Sequence, residues 1–180
     1  MNNIILIGLM GAGKTTIGKR LAQKLSWDFV DTDQLVEERC GANISVIFEV
    51  EGEEGFRIRE NRIIEEVMSH ERQVIASGGG APIKLENRHL LKKGFVIYIY
   101  IEPSAVYKRL KSDDSRPILN SSRNLMKKID QLFNQRDPIY RELANHIVVG
   151  GNQSLKKMVS DLQVVIKSKN LLQKKNLDNH

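Results

Sequence analysis

Apolar residues recur along this chain in two alternating patterns. Short β-branched or aromatic runs are separated by longer stretches in which apolar side chains return every third or fourth position. Residues 3–8 (NIILIG), 28–31 (DFVD), 73–76 (QVIA), 95–101 (FVIYIYI) and 146–149 (HIVV) form the first set and predict strands. Between them, residues 16–25 carry Ile17, Leu21 and Leu25 at helical spacing, residues 34–40 read as helical, and residues 44–50 begin a further helix. Residues 57–69 place Ile58, Ile63, Ile64, Val67 and Met68 at near-helical intervals. Residues 104–111 and 124–135 predict two more helices, and residues 154–167 a last one, with Leu155, Met158, Val159, Leu162 and Ile166 in step. The 95–101 run is apolar throughout and bounded by Gly94 and Pro103, as a central parallel strand requires. Strands alternating with helices predict an α/β fold, its parallel sheet covered on both faces. Residues 111–123 (KSDDSRPILNSSR) have no hydrophobic period and read either as a surface loop or as a lid closing over a ligand.

Composition narrows the class. The chain has 180 residues, 41 % of them apolar and 28 % charged, which is ordinary globular usage and fits one domain. Its one cysteine, Cys40, excludes an internal disulfide framework. No apolar run reaches the roughly 18 residues of a membrane span, and the N-terminal run lacks the charged flank of a signal peptide. A cytoplasmic protein is expected. The net charge is +6, and +4 of it falls in residues 151–180, where six lysines face Asp161 and Asp178. A polar, basic tail over 168–180 accounts for the excess better than a nucleic-acid surface does.

The chemistry begins at Gly8-Leu9-Met10-Gly11-Ala12-Gly13-Lys14-Thr15, which matches G-x-x-x-x-G-K-[ST] between a predicted strand and a predicted helix. Glycines in such a loop let backbone N–H groups turn inward around a phosphate, and the helix that follows presents its positive end. Lys14 reaches the β- and γ-phosphates, and the Thr15 hydroxyl holds Mg²⁺. No N-K-x-D segment points to guanine, and the chain is short for a motor or transporter ATPase. A small-molecule kinase is the economical reading.

The acceptor must then be read from the remaining polar clusters. Asp31-Thr32-Asp33 ends the second strand, where an open α/β sheet lines its ligand crevice. Either both carboxylates face the phosphate loop, one for Mg²⁺ and one for an acceptor hydroxyl, or Asp33 caps the following helix. In Phe56-Arg57-Ile58-Arg59-Glu60 the two arginines point different ways on a helix, one functional and the other paired with solvent or with Glu60. Ser77-Gly78-Gly79-Gly80 removes side chains where backbone and ligand must meet. Arg136, read as following a helix, and Arg57 suit a bidentate clamp for a carboxylate, and Arg116 suits charge neutralisation on a transferring phosphoryl group.

With the phosphate loop, Asp31-x-Asp33, Phe56-Arg57-x-x-Glu60, Gly78-Gly79-Gly80, Arg116-Pro117 and Arg136-x-Pro138-x-Tyr140 in this order, the chain resembles the shikimate kinases over residues 4 to about 165. That resemblance implies a P-loop NTPase-type three-layer α/β/α fold of the nucleoside-monophosphate kinase group. It has a five-stranded parallel sheet, a substrate-binding helical region and a lid, within a single domain over 1–167. It implies transfer of the γ-phosphoryl of ATP to the 3-hydroxyl of shikimate by a monomer. Carried across position by position, Gly11, Ala12, Gly13, Lys14, Thr15 and Thr16 bind ATP phosphates, and Thr15 and Asp31 organise Mg²⁺. Asp33 binds the acceptor hydroxyl, as base or as positioning group. Arg57 and Arg136 take the carboxylate, Gly79 and Gly80 touch shikimate through their backbone, Arg109 packs on adenine, and Arg116 descends with the lid. Two departures stand out: Ile118 follows Arg116-Pro117 where the family has leucine, and residues 150–154 lack the proline turn expected beside adenine. A gluconate or nucleoside-monophosphate kinase is the nearer rival, answered by the carboxylate clamp. A nucleotide-binding regulatory or nucleic-acid module using the basic tail is the remoter one.

Overall fold

The computed structural model describes residues 3–111, 125–151 and 153–169. Five strands, β1 (Ile4–Ile7), β2 (Asp28–Asp31), β3 (Gln73–Ala76), β4 (Phe95–Tyr100) and β5 (His146–Val149), form one parallel sheet in the order β2-β3-β1-β4-β5. The described helices are α1 (Lys14–Leu25), α2 (Thr32–Cys40), α3 (Ile44–Met68), α4 (Leu85–Leu91), α5 (Pro103–Lys111), α6 (Leu125–Leu143) and α7 (Leu155–Ser168). β1 sits between β3 and β4, pairing Leu6 with Ala76 and Ile7 with Tyr98. All four of its residues are fully buried, because helices cover both faces of a central parallel strand. The sheet reverses its order of growth at β1, so the crevice beyond the carboxyl ends of β1, β2 and β3 is where such folds bind ligands.

The predicted strands agree with the observed ones to within a residue or two at each end. The helices differ in instructive ways. α2 begins at Thr32, two residues early, because Asp31 rather than Asp33 caps it: the Asp31 Oδ1 accepts from the backbone N–H of Asp33 (3.1 Å) and Gln34 (3.4 Å). Residues 44–50 and 57–69 belong to one long helix kinked at Gly52, whose φ of 70° interrupts the helical geometry. α6 does not end at Gln135 but continues through Pro138 to Leu143. A proline normally marks a helix boundary; here the buried Tyr140 and Leu143 beyond it anchor the last turns to the core. Arg136 therefore lies inside a helix instead of after one. α4 and the 3-10 turn before it, Ala81–Ile83, were not anticipated. With seven residues, α4 is too short to show a period, and its buried Asn87 is held by polar contacts, accepting from Asn61 (2.8 Å) and donating to the Ala81 carbonyl (2.9 Å). Among the described residues no helix is long and apolar enough to cross a membrane.

Candidate active site

The phosphate loop leaves β1 at Gly8, where a Cβ would lie 2.6 Å from the Ile99 carbonyl oxygen of the neighbouring strand and the backbone has φ 144°. Only glycine fits both demands. Gly13, at φ 90°, is the N-cap of α1 and offers no side-chain acceptor, so the first amides of α1 stay directed at the loop's interior. Lys14 folds back over the loop, its Nζ donating to the carbonyls of Gly8 and Leu9 at 2.9 Å each. Thr15 donates its hydroxyl proton to Asp31 Oδ2 at 2.6 Å. One Asp31 oxygen thus caps α2 while the other faces the phosphate loop. A threonine hydroxyl beside a single carboxylate is an all-oxygen donor set of the kind that suits Mg²⁺, which takes its remaining ligands from water and phosphate. Among the described residues no group of three histidine, cysteine, aspartate or glutamate side chains offers a self-sufficient metal cage.

Because Asp31 does the capping, the Asp33 carboxylate is released from that duty and turns toward the glycine turn after β3. A Cβ on Gly78 would lie 2.4 Å from Asp33 Oδ1 and 3.1 Å from Glu60 Oε1, so glycine there makes room for two carboxylates. Burial pushes the Asp33 carboxyl above the usual range; repulsion from Asp31 and Glu37 adds to this, and Lys14 and Arg57 oppose it. Thr32, fully buried between the two aspartates, accepts from the Gly78 backbone N–H at 2.9 Å and ties the start of α2 to the turn. Sequence reasoning passed over it as the middle of Asp-x-Asp.

α3 supplies the next side of the site. Arg57 is buried and donates through NH1 to Glu60 Oε2 (2.8 Å) and through NH2 and Nε to Glu53 Oε1 (3.1 and 3.3 Å). Its guanidinium also stacks over Phe56, 5.3 Å from the ring centroid, and Phe56 packs on Phe48 at 4.8 Å. A Cβ on Gly80 would fall 2.4 Å from Arg57 NH2, so this arginine lies directly against the turn. Arg59 points away and pairs with Glu51 (2.6 and 2.8 Å) at the surface; the Glu60 partner belongs to Arg57. Glu60 is 1 % exposed, with Oε1 unpartnered among the described residues. Burial raises its carboxyl above the usual range while Arg57 draws it back.

The opposite side comes from α6. Arg136 NH1 lies 3.5 Å from where a Cβ on Gly79 would stand, and the same point is 3.3 Å from the Gly8 carbonyl and 3.6 Å from the Met10 amide. The glycine turn is therefore wedged between the phosphate loop, Arg57 and Arg136. Tyr140, one helical turn beyond Arg136, donates its hydroxyl proton to the Gly79 carbonyl. From α5, exposed Arg109 reaches the phosphate loop and donates to the Gly11 carbonyl at 2.8 Å. Ala12 is buried and Thr16 exposed at the start of α1, beside a groove that runs along Lys19, Arg20 and Gln23 to Leu155. In the 150–154 segment Ser154 caps α7, accepting from the Lys157 amide at 3.3 Å. Arg116 and nearly all of the expected lid lie outside the described residues.

The arrangement sets the phosphate loop beside a glycine turn against which Asp33, Glu60, Arg57 and Arg136 all lie. The sequence profile described as "Shikimate kinase" matches residues 10–167. A shikimate kinase of Nitrosococcus oceani is 44 % identical over 161 residues, 89 % of this chain and 84 % of its own. One of Pasteurella multocida is 46 % identical over 89 % of this chain and 92 % of its own. A solved structure described as shikimate kinase from Acinetobacter baumannii in complex with shikimate superposes with a TM-score of 0.88 at 39 % identity, covering 95 % of this chain and 96 % of that one.

Proposed function

The chain belongs to the shikimate kinase family, and on that premise we propose that this site carries the γ-phosphoryl group of ATP to the 3-hydroxyl of shikimate, a step of aromatic amino-acid biosynthesis. The observation that carries the proposal is the meeting of Asp33, Arg57 and Arg136 at one glycine turn that touches the phosphate loop. Arg57 and Arg136 bind the shikimate carboxylate, as charged donors on two sides of a small pocket do, and the amides of Gly79 and Gly80 meet the ring from below. Asp33 accepts a hydrogen bond from the 3-hydroxyl and takes its proton as the oxygen attacks the γ-phosphorus. The bond from that phosphorus to the β-bridging oxygen breaks, and ADP leaves. Lys14 exchanges its carbonyl partners for phosphate oxygens, with Gly11, Ala12, Gly13, Thr15 and Thr16 cradling the chain of phosphates.

Thr15 and Asp31 are the residues that would hold Mg²⁺, which would neutralise charge on the phosphates during transfer. Arg109 serves the adenine side, and the role of Arg116 is to neutralise charge on the transferring group. The protein acts as a monomer in the cytoplasm, where ATP is at hand. A coupled ADP-release assay with shikimate, gluconate and the common nucleoside monophosphates tests the function. Release with shikimate alone supports it, and turnover of another acceptor in its place refutes it.

A further inference from the structure

Asn87 is a fully buried polar side chain that the phosphoryl-transfer chemistry does not use. It stands on α4, and its amide is engaged at both ends: Nδ2 donates to the Ala81 carbonyl at 2.9 Å, and Oδ1 accepts from Asn61 Nδ2 at 2.8 Å. A carbonyl only accepts, so the Ala81 oxygen dictates which end of the Asn87 amide faces it, and the other end then calls for a donor. Asn61 is that donor, on α3, one helical turn after Arg57 and on the same face. A continuous polar link thus runs from the helix that carries Arg57, through α4, to the residue after Gly80.

The rest of the turn is anchored in the same manner. The Gly78 and Gly80 carbonyls accept from the amides of Ala81 (3.1 Å) and Ile83 (3.0 Å). Arg88, beside Asn87 on α4, donates through Nε to the Pro82 carbonyl (2.6 Å) and through NH2 to that of Ile83 (3.0 Å). Arg57 sends its own hydrogen bonds elsewhere, to Glu53 and Glu60 on its helix. A Cβ on Gly80 would stand 2.4 Å from Arg57 NH2, so guanidinium and turn are in close contact. The spacing between them is set by the link through Asn61, Asn87 and Ala81.

We propose that Asn87 and Asn61 are positioning residues for acceptor binding: the pair fixes the glycine turn relative to α3, so that Arg57 and the amides of Gly79 and Gly80 meet shikimate at a set spacing. This rests on the reading of Arg57 and those amides as shikimate contacts. Three glycines in succession bring no side chains to hold their own shape, so the conformation of the turn is imposed by its neighbours. A turn ordered in advance spares acceptor binding the cost of ordering it.

The experiment uses Asn61→Ala, Asn87→Ala and the double variant in the full chain, with initial rates measured as each substrate is varied. Either single change is expected to raise KM for shikimate about tenfold, with kcat and KM for ATP within twofold. Because the two side chains are successive links, the double variant should exceed the worse single one by less than twofold. A KM for shikimate within twofold of the unaltered protein in a folded variant, an equal rise in both KM values, or effects that multiply in the double variant each overturn the proposal. Asn87→Ala opens a buried site; should it fail to fold, Asn61→Ala, at a half-buried position, decides the matter through the same split between the two KM values. A second readout is amide hydrogen exchange without ligand. In Asn61→Ala the Ala81 and Ile83 amides should exchange about tenfold faster, with those of β1 and β4 unchanged. Unchanged exchange at Ala81 and Ile83, or faster exchange throughout the sheet, overturns the proposal. If the unaltered protein fails to phosphorylate shikimate, the functional reading falls, while the exchange result still decides whether the asparagine pair holds the turn.

Discussion

Replacing Gly80 by alanine tests the acceptor clamp with one carbon atom. At Gly80 φ is −93° and ψ −14°, which any L-residue adopts, so the backbone tolerates the change. The added methyl is the entire perturbation, and it would stand 2.4 Å from Arg57 NH2, 2.6 Å from NH1 and 2.9 Å from Cζ. Ordinary contact begins near 3.5 Å, so the guanidinium must withdraw by about 1 Å. Arg57 cannot do so freely, because Glu60 holds NH1 at 2.8 Å and Glu53 holds NH2 and Nε at 3.1 and 3.3 Å. Withdrawal costs one charge-assisted hydrogen bond, worth about 1.5–3 kcal/mol. If the carboxylate of shikimate bears that loss, KM for shikimate rises by roughly 10- to 150-fold, since each 1.4 kcal/mol is a factor of ten. KM for ATP should stay within twofold, because the methyl points at the acceptor side. The measurement is initial-rate ADP release with each substrate varied in turn, with circular dichroism and a thermal melt to show that the variant is folded. A folded Gly80→Ala enzyme whose KM for shikimate lies within twofold of the unaltered protein refutes the assignment of Arg57.

Other perturbations separate the remaining parts of the site. Asp33→Asn should lower kcat by two orders of magnitude or more yet raise the melting temperature at neutral pH. The Asp33 carboxyl is raised in the fold, so its ionised form costs stability above that raised pKa. That cost disappears as pH falls toward the usual carboxylate value, and melts at a series of pH values should show the stabilisation shrinking on the acid side. For the same reason, kcat/KM of the unaltered enzyme should begin its acid fall at a higher pH than an ordinary aspartate would give. Gly78→Ala, whose methyl meets Asp33 Oδ1 at 2.4 Å, should depress kcat where Gly80→Ala raises KM, and steady-state kinetics of the pair check the division. Asp31→Ala loses both the α2 cap, about 1 kcal/mol, and the partner of Thr15, so it should melt lower and need more Mg²⁺ for half-maximal rate. Deleting residues 170–180 should leave the kinetics near normal; a large loss would assign the basic tail a role in the reaction.

The phosphate loop was legible because all of its chemistry lies within eight consecutive residues framed by a strand and a helix. Asp31 and Asp33 were legible as a pair, but their roles turn on which one caps α2. That depends on where β2 stops, a matter of register with β3 that a local pattern does not contain. Arg136 was found as a residue and misplaced as an element, since Pro138 reads as a terminator until the burial of Tyr140 and Leu143 is known. Thr32 escaped notice, and Glu53 stood near the expected acceptor site without an assignable role, because each acts through a contact invisible in its own neighbourhood: Thr32 meets an amide 46 residues away, and Glu53 has meaning only once Arg57 is buried. The run of three glycines announced close approach, and the structure supplies what approaches: two carboxylates at Gly78, the phosphate loop and Arg136 at Gly79, and Arg57 at Gly80.

The turn after β3 rests on the turn after β1 with no side chain between them, Gly79 against Gly8 and Met10. These turns issue from adjacent, hydrogen-bonded strands, and strand spacing, about 4.8 Å, is among the stiffest lengths a protein possesses. Donor and acceptor are thus gauged against each other by the sheet itself, as work is held in a jig. Substitution can change how firmly either reactant is gripped, since the grips include side chains on α1 for the donor and on α2, α3 and α6 for the acceptor. The interval the phosphoryl group must cross is machined into the backbone, and the replacements that reach it are those that put a side chain where Gly79 meets Gly8 and Met10.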